Sequence, residues 1–276
     1  MDLLAKKYSF QSPYAFATNN PVRLVDVDGL GVETDFINIE TGKRTHLEDG
    51  KDQVMAMTSS GMDHLQNLYD TDCDAYNSTV SELEGKNVNL HLTTSEFDDI
   101  TGTVYAEAST DGEWKESAAI YSVLRNRAKA QGNEVINQIT SGVAGYSSRE
   151  KYRTSTEINL KNSAQKGVAR AIVSDTNYSN GAYFWAGTDI ATNSNEKRQT
   201  GGLLFTDSSH DVMNVGSLKI TGAPITKYWK DKDGNDTRNA RGTYNYTYES
   251  TAGFGKTTFM KYTQKFINAA GNKTYP

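Results

Sequence analysis

Hydrophobic positions along the chain change their period twice. Between residues 31 and 60 they come in short clusters: Phe36-Ile37-Asn38-Ile39, turn residues Glu40 to Lys43, Thr45-His46-Leu47, then Gln53 to Met57. That spacing predicts a hairpin followed by a third strand. Residues 61 to 92 are mixed. Met62, Leu65, Leu68 and Tyr69 fall at helical intervals, but Thr71 to Gly85 is rich in acidic and turn residues, so this stretch reads as a connection. Phe97, Ile100 and Val104 then recur at helical spacing and predict a short helix over residues 96 to about 108, with Ser95 and Asp98 as a capping-box-like start. Trp114 opens a second helix on the stripe Ile120, Val123, Leu124 and Ala128; Arg125 and Arg127 lie off the stripe, and Gly132 suits the C-cap. After Ile136 and Ile139 comes a Gly-rich aromatic turn, Gly142 to Tyr146, and then a charged stretch. A third helix is predicted from about Glu157 to Ser174 on Leu160, Ala164, Val168, Ala171 and Ile172. Tyr178, Asn180, Tyr183 and Trp185 crowd the loop that follows. Beyond residue 200 the period shortens again. Leu203–Thr206, Leu218–Thr221, Ile225–Trp229, Thr243–Tyr248 and Thr258–Thr263 predict strands, with a turn at Asp231 to Asn235 joining two of them.

One carboxylate stands out against this pattern. Glu107 lies seven residues beyond Ile100 and three beyond Val104, nearly two turns and one turn on, so it falls on the inward stripe in the last turn of its helix. Desolvation raises the pKa of a buried carboxyl group, and the carbonyl-rich end of a helix repels its charge. A carboxyl group kept protonated near neutral pH is what glycoside cleavage asks of its general acid. Periodicity alone is also met by a glutamate that caps a neighbouring donor or reaches solvent.

Composition narrows the chemistry. The 276 residues are enough for one or two domains with a proper core, and 36% hydrophobic residues with a mean hydropathy of -0.65 describe a rather polar chain. A net charge of -5 and a pI of about 5.5 lack the basic footprint of a nucleic-acid binder. Cys73 is alone, which excludes an internal disulfide and predicts a small buried apolar residue. No run approaches a membrane span, and MDLLAKKYSF lacks the apolar core of a signal peptide. The four histidines, 46, 64, 91 and 210, are scattered. His46 reads as a strand surface residue, since no second His or Cys stands at ligand spacing, and no metal or other cofactor is expected. Asp231 to Asn235 has a calcium-loop flavour, but Gly242 stands where the twelfth-position glutamate would be, so a hairpin turn is expected. GFGKTT, residues 253 to 258, fails as a phosphate loop, because Ser250 occupies the position of the first glycine.

Two stretches carry family resemblances. Residues 1 to 30, with Asp2, Ser12 to Phe16, Asn19 to Pro21 and Asp26 to Gly29, resemble the end of the core domain of Rhs and YD-repeat proteins as found in the Bacteroidetes. Leu3 and Val27 replace two prolines of that pattern. In that family a variable, usually toxic, domain follows. The succession VYAEAS, AAIYSVLRNRA, a helix with GVARAI, and NGAYFW, within residues 100 to 190, is similar to the cell-wall hydrolases of the spore-cortex-lytic family, which have a lysozyme-like fold. Their general acid falls on Glu107.

The resemblances imply an α+β protein: a Rhs remnant over 1–30, an extended β connection over 31–92, and a lysozyme-like helical catalytic core with a β-rich C-terminal part over 93–276. The implied activity is cleavage of peptidoglycan glycan strands by a secreted antibacterial toxin, delivered to the periplasm of target cells by a type VI-like or contact-dependent apparatus. Its implied partners are the glycan strands, the secretion apparatus and a cognate immunity protein, without nucleic acid or membrane. A lytic transglycosylase needs one titrating carboxyl group, whereas a muramidase-like hydrolase needs two. Glu249 is the candidate second carboxylate, with Asp189 beside it as a further choice. Tyr146, Asn180, Tyr183 and Trp185 are the candidate glycan-binding residues, each also suited to a core. A nuclease toxin and a non-catalytic glycan-binding module are the competing readings.

Overall fold

The computed structural model describes residues 33–86, 88–192, 201–215, 224–271 and 275. The Rhs-like segment and the strand expected over Leu218–Thr221 lie outside the described residues. Strands β1 (Thr34–Asn38), β2 (Arg44–Leu47) and β3 (Gln53–Met57) form one sheet in the order β2-β1-β3, with β1 antiparallel to β2 and parallel to β3. All five residues of β1 are buried because the sheet is covered on both faces. The pleat sends Phe36 to one side, into a cluster with Met55, Leu65, Tyr76 and Val80, and Ile37 to the other, into the main core.

Helices α1 (Ser59–Thr71) and α2 (Cys73–Glu84) cover the Phe36 face. The acidic stretch expected as a connection is therefore helical. Asp72 caps α2 by accepting from Ala75 N at 3.0 Å, and Tyr76 and Val80, one turn apart, are all the apolar anchor it needs. Cys73, expected inside, is exposed at the start of α2, off the face that Tyr76 and Val80 bury.

The main core is built on three helices. In α3 (Thr94–Glu107) the capping box is Thr93 with Glu96, two residues earlier than Ser95 with Asp98, and it starts the helix two residues sooner. Asp98 instead pairs with Arg44 of β2. Helix α4 (Trp114–Gln131) ends at Gly132, whose φ of 67° is the left-handed conformation a C-cap glycine supplies cheaply. Short helices α5 (Val135–Thr140), α6 (Ala144–Ser147) and α7 (Glu150–Thr154) lead to α8 (Ile158–Val173), which packs on α4. The two helices meet at Gly167, where an added Cβ would stand 2.6 Å from Trp114 O and 2.8 Å from Ala118 N. Ile100, Val104, Ile120, Leu124, Val168 and Ile37 pack together around this contact.

The C-terminal third is β-rich, as expected. Strands β4 (Phe184–Ala186), β5 (Leu203–Leu204), β8 (Tyr248–Phe254) and β9 (Thr257–Tyr262) form a sheet in the order β4-β9-β8-β5, with β5 parallel to β8 and the other pairs antiparallel. Helix α9 (Asp189–Thr192) follows β4. Strands β6 (Ile225–Lys230) and β7 (Asp236–Tyr244) make a separate ribbon around the Asp231 turn, where Asp231 Oδ1 accepts from the backbone of Asp233 and Asn235. Thr243–Tyr248 is not one strand. The chain leaves the ribbon at Tyr244 and enters the other sheet at Tyr248, and the alternating tyrosines conceal that corner. GFGKTT is the tight β8–β9 hairpin, with Gly255 at φ 56°. Helix α10 (Gln264–Ala270), absent from the sequence reading, is capped by Thr263, which accepts from Phe266 N at 3.2 Å. Among the described residues no helix is long and apolar enough to cross a membrane.

Because even a methyl group at position 167 meets backbone of α4, Gly167→Ala is expected to destabilise the protein by about 1–3 kcal/mol. A lower midpoint of chemical denaturation at unchanged slope checks this.

Candidate active site

The last turn of α3 delivers Glu107, half-buried, to the wall of a cleft of about 800 Å³. Two donors from distant parts of the chain hold its carboxylate. The backbone N–H of Gly145, in α6, donates to Oε1, and the indole Nε1–H of Trp185, on β4, donates to Oε2 at 3.0 Å. Gly145 is required by the close approach: a Cβ there would stand 2.6 Å from Glu107 Cγ and 2.7 Å from Thr103 O. An ionised carboxylate offers about four lone-pair directions, so two donors orient it and leave the remainder for a ligand.

Arg127 from α4 completes this wall. Its guanidinium lies 4.7 Å from the centre of the Trp185 ring, and its Nε donates to Tyr183 O at 2.6 Å. Asp189, exposed at the start of α9, and Lys256 on the β8–β9 turn also line the cleft. Lys256 pairs with Asp111 at 2.8 Å, and that hydrogen bond pushes its pKa up.

Behind the cleft lies a second carboxylate that the sequence pattern did not single out. Glu116, in the first turn of α4, has no exposed surface. Its Oε2 accepts from Ser109 Oγ at 2.7 Å and its Oε1 from Thr257 Oγ1 at 2.6 Å, and both hydroxyl-bearing residues line the cleft. Burial pushes the Glu116 pKa up against these two hydrogen bonds. The neighbouring Glu113 accepts from Gly255 N at 2.7 Å, so the start of α4 grips the β8–β9 hairpin at two points.

Of the residues expected at the site, Glu107 and Trp185 are brought together, and Asp189 reaches the rim. Glu249 is not at the cleft: it lies on β8 opposite Lys261, with Nζ 3.5 Å from its Oε1. Tyr146, Asn180 and Tyr183 also stay outside the lining. Tyr146 packs against the main core and carries the Arg149 guanidinium 3.9 Å from its ring centre. Asn180 adopts the left-handed conformation in a turn and donates through Nδ2 to Thr251 O. Tyr183 stacks on Tyr275 at 5.4 Å. Arg127, Gly145 and Glu116 are the functional-looking residues that the pattern missed. Glu116 and Arg127 lie at stripe spacing in α4, four residues before and seven beyond Ile120, so that spacing could have found them, whereas Gly145 acts through its backbone alone.

The chain matches no known protein family, no curated protein and no solved structure. What the site can do therefore follows from its own geometry.

Glu116 also sets a pH dependence. A carboxyl group whose pKa is raised on folding from its ordinary 4.5 contributes stability below that value and loses it as the pH rises through the folded-state pKa. Relative to the parent, Glu116→Gln is thus expected to gain stability as the pH rises from about 4.5 towards 8. Denaturation midpoints of both proteins across that range check it; a constant difference between them contradicts the expectation.

Proposed function

We propose that the protein cleaves the glycan strands of peptidoglycan, with Glu107 as the proton donor and then acceptor. The observation that carries this reading is the half-buried Glu107 carboxylate on the cleft wall, oriented by Gly145 N–H and Trp185 Nε1–H. In its protonated form Glu107 donates to the glycosidic oxygen as the bond to the anomeric carbon breaks. The resulting carboxylate then takes the proton of the attacking hydroxyl. If that hydroxyl belongs to the sugar itself, the enzyme is a lytic transglycosylase and one carboxyl group suffices.

This form is favoured over the two-carboxylate hydrolase. Among the described residues that line the cleft, Asp189 is the other carboxylate, and it is exposed at the rim; Glu116 is occupied by Ser109 and Thr257. Trp185 takes a different role from the glycan platform expected of it, because its N–H is committed to Glu107 and one face to Arg127. We read α3, α4 and α8 as a lysozyme-like core to which the β-rich C-terminal part is added. We further read the protein as an antibacterial toxin of Rhs type, delivered by a specialised secretion system to the periplasm of target cells and held in check by an immunity protein.

Digestion of purified sacculi followed by mass spectrometry tests the activity. Anhydro-muropeptides are expected, whereas reducing ends would indicate hydrolysis, and no release from sacculi would overturn the reading. Glu107→Gln is expected to lower the rate by about 10²–10⁴-fold, the usual contribution of a general acid. Undiminished release by that variant would remove Glu107 from the mechanism. Trp185→Phe keeps the ring but removes the donor; loss of one hydrogen bond to a carboxylate predicts a fall of roughly 10–100-fold in kcat with KM little changed.

A further inference from the structure

Away from the cleft, three side chains with metal-binding donors gather on one face of the first sheet. Asp35 on β1 and His46 on β2 are direct partners in the antiparallel register. Glu33 lies two residues before Asp35, so the pleat turns all three towards the same side. One oxygen from each carboxylate and one ring nitrogen lie within 4.8 Å of one another. Glu33 Oε1 is 2.9 Å from His46 Nδ1, and Asp35 Oδ1 touches the same nitrogen.

Asp35 has no exposed surface, and its Oδ1 faces His46 Nδ1. Its other oxygen, Oδ2, is fully engaged, accepting from Arg44 and from Thr94 Oγ1 at 3.0 Å. Such an outer shell fixes a carboxylate and turns its remaining oxygen towards a common point with the other two groups, as the supporting residues of metal sites do. His46 is half exposed, which leaves one side of the cluster open to water.

We propose that Glu33, Asp35 and His46 form a site for a divalent transition metal of the zinc class. One imidazole nitrogen and two carboxylate oxygens are a donor set for zinc-like ions, whereas calcium takes six to eight oxygens. Zinc–ligand bonds of about 2.0–2.2 Å place tetrahedral donors roughly 3.3–3.6 Å apart, so binding opens the Glu33–His46 contact and moves His46 back from the fixed Asp35. Both side chains are partly exposed and free to make that adjustment. The fourth position faces solvent. Bound there, the ion clips the entry of β1 to β2. None of the three residues lines the cleft, so the site stands independently of the glycan-cleaving reading.

Calorimetric titration of the full, tag-free chain with zinc chloride, after treatment with a chelator, tests the proposal. One saturable site per chain is expected, with affinity reduced at least about tenfold by His46→Ala and by Glu33→Gln. Glu33 is the safer substitution: should the His46 variant lose its circular dichroism signal, the Glu33 variant alone decides. Absence of saturable binding overturns the proposal, as does an unchanged affinity in the folded variants. Either result makes the three groups an ion-pair cluster. Magnesium binding in place of zinc overturns the assigned metal class.

Discussion

The contact between the backbone of α6 and the last turn of α3 is the constraint on which the site depends. With no side chain at Gly145, the peptide can come close enough to place its N–H on Glu107. A Cβ would force the two helices apart and leave that oxygen without its donor. The second oxygen depends on β4, and β4 is held by β9 and by Arg127 of α4. The carboxylate on α3 is thus fixed by donors from two segments, α6 and β4, that are distant in the chain. A carboxylate held from several directions loses its rotational freedom at folding rather than at ligand binding, which is what preorganisation of a site requires.

The same logic explains the placement of buried charge. A wholly buried carboxylate such as Glu116 is costly unless its oxygens are satisfied, and here each receives a hydroxyl proton. What that arrangement supplies is a tie between the helical core and the β8–β9 hairpin, reinforced by Glu113. The hairpin carries Lys256 to the cleft, so the polar pocket and the relation between the helices and the sheet have a common origin.

Much of the helical core was legible because α3 and α8 each bury one stripe at a helical interval, and because Gly132 marks the end of α4. Glu107 was legible for the same reason. The surroundings of α4 were not, since Ala118 and Ser122 are buried off its stripe and break the assumption that such positions face water, while the charged Glu116 and Arg127 at stripe spacing were passed over. Composition misled in α2, where two well-spaced anchors outweighed an acidic surface. In the C-terminal third, alternation marked strands but could not say which sheet each strand joins. Tyr244, Tyr246 and Tyr248 alternate through a corner, and Glu249, beyond it, ends beside Lys261. The three donors on β1 and β2 were hidden for a related reason. Their proximity comes from strand register rather than from any spacing along the chain.

The pairing of β4 with β9 has a consequence for synthesis. Trp185 lies opposite Phe259, so the strand carrying the indole has its neighbour only after most of the C-terminal third has been made. A nascent chain that has emerged as far as α9 already contains Glu107 with all of α3, α4 and α8. It lacks the sheet that holds the indole in place and the hairpin that Glu113 and Glu116 grip. Translation order alone thus delays assembly of the cleft until late in the making of each molecule.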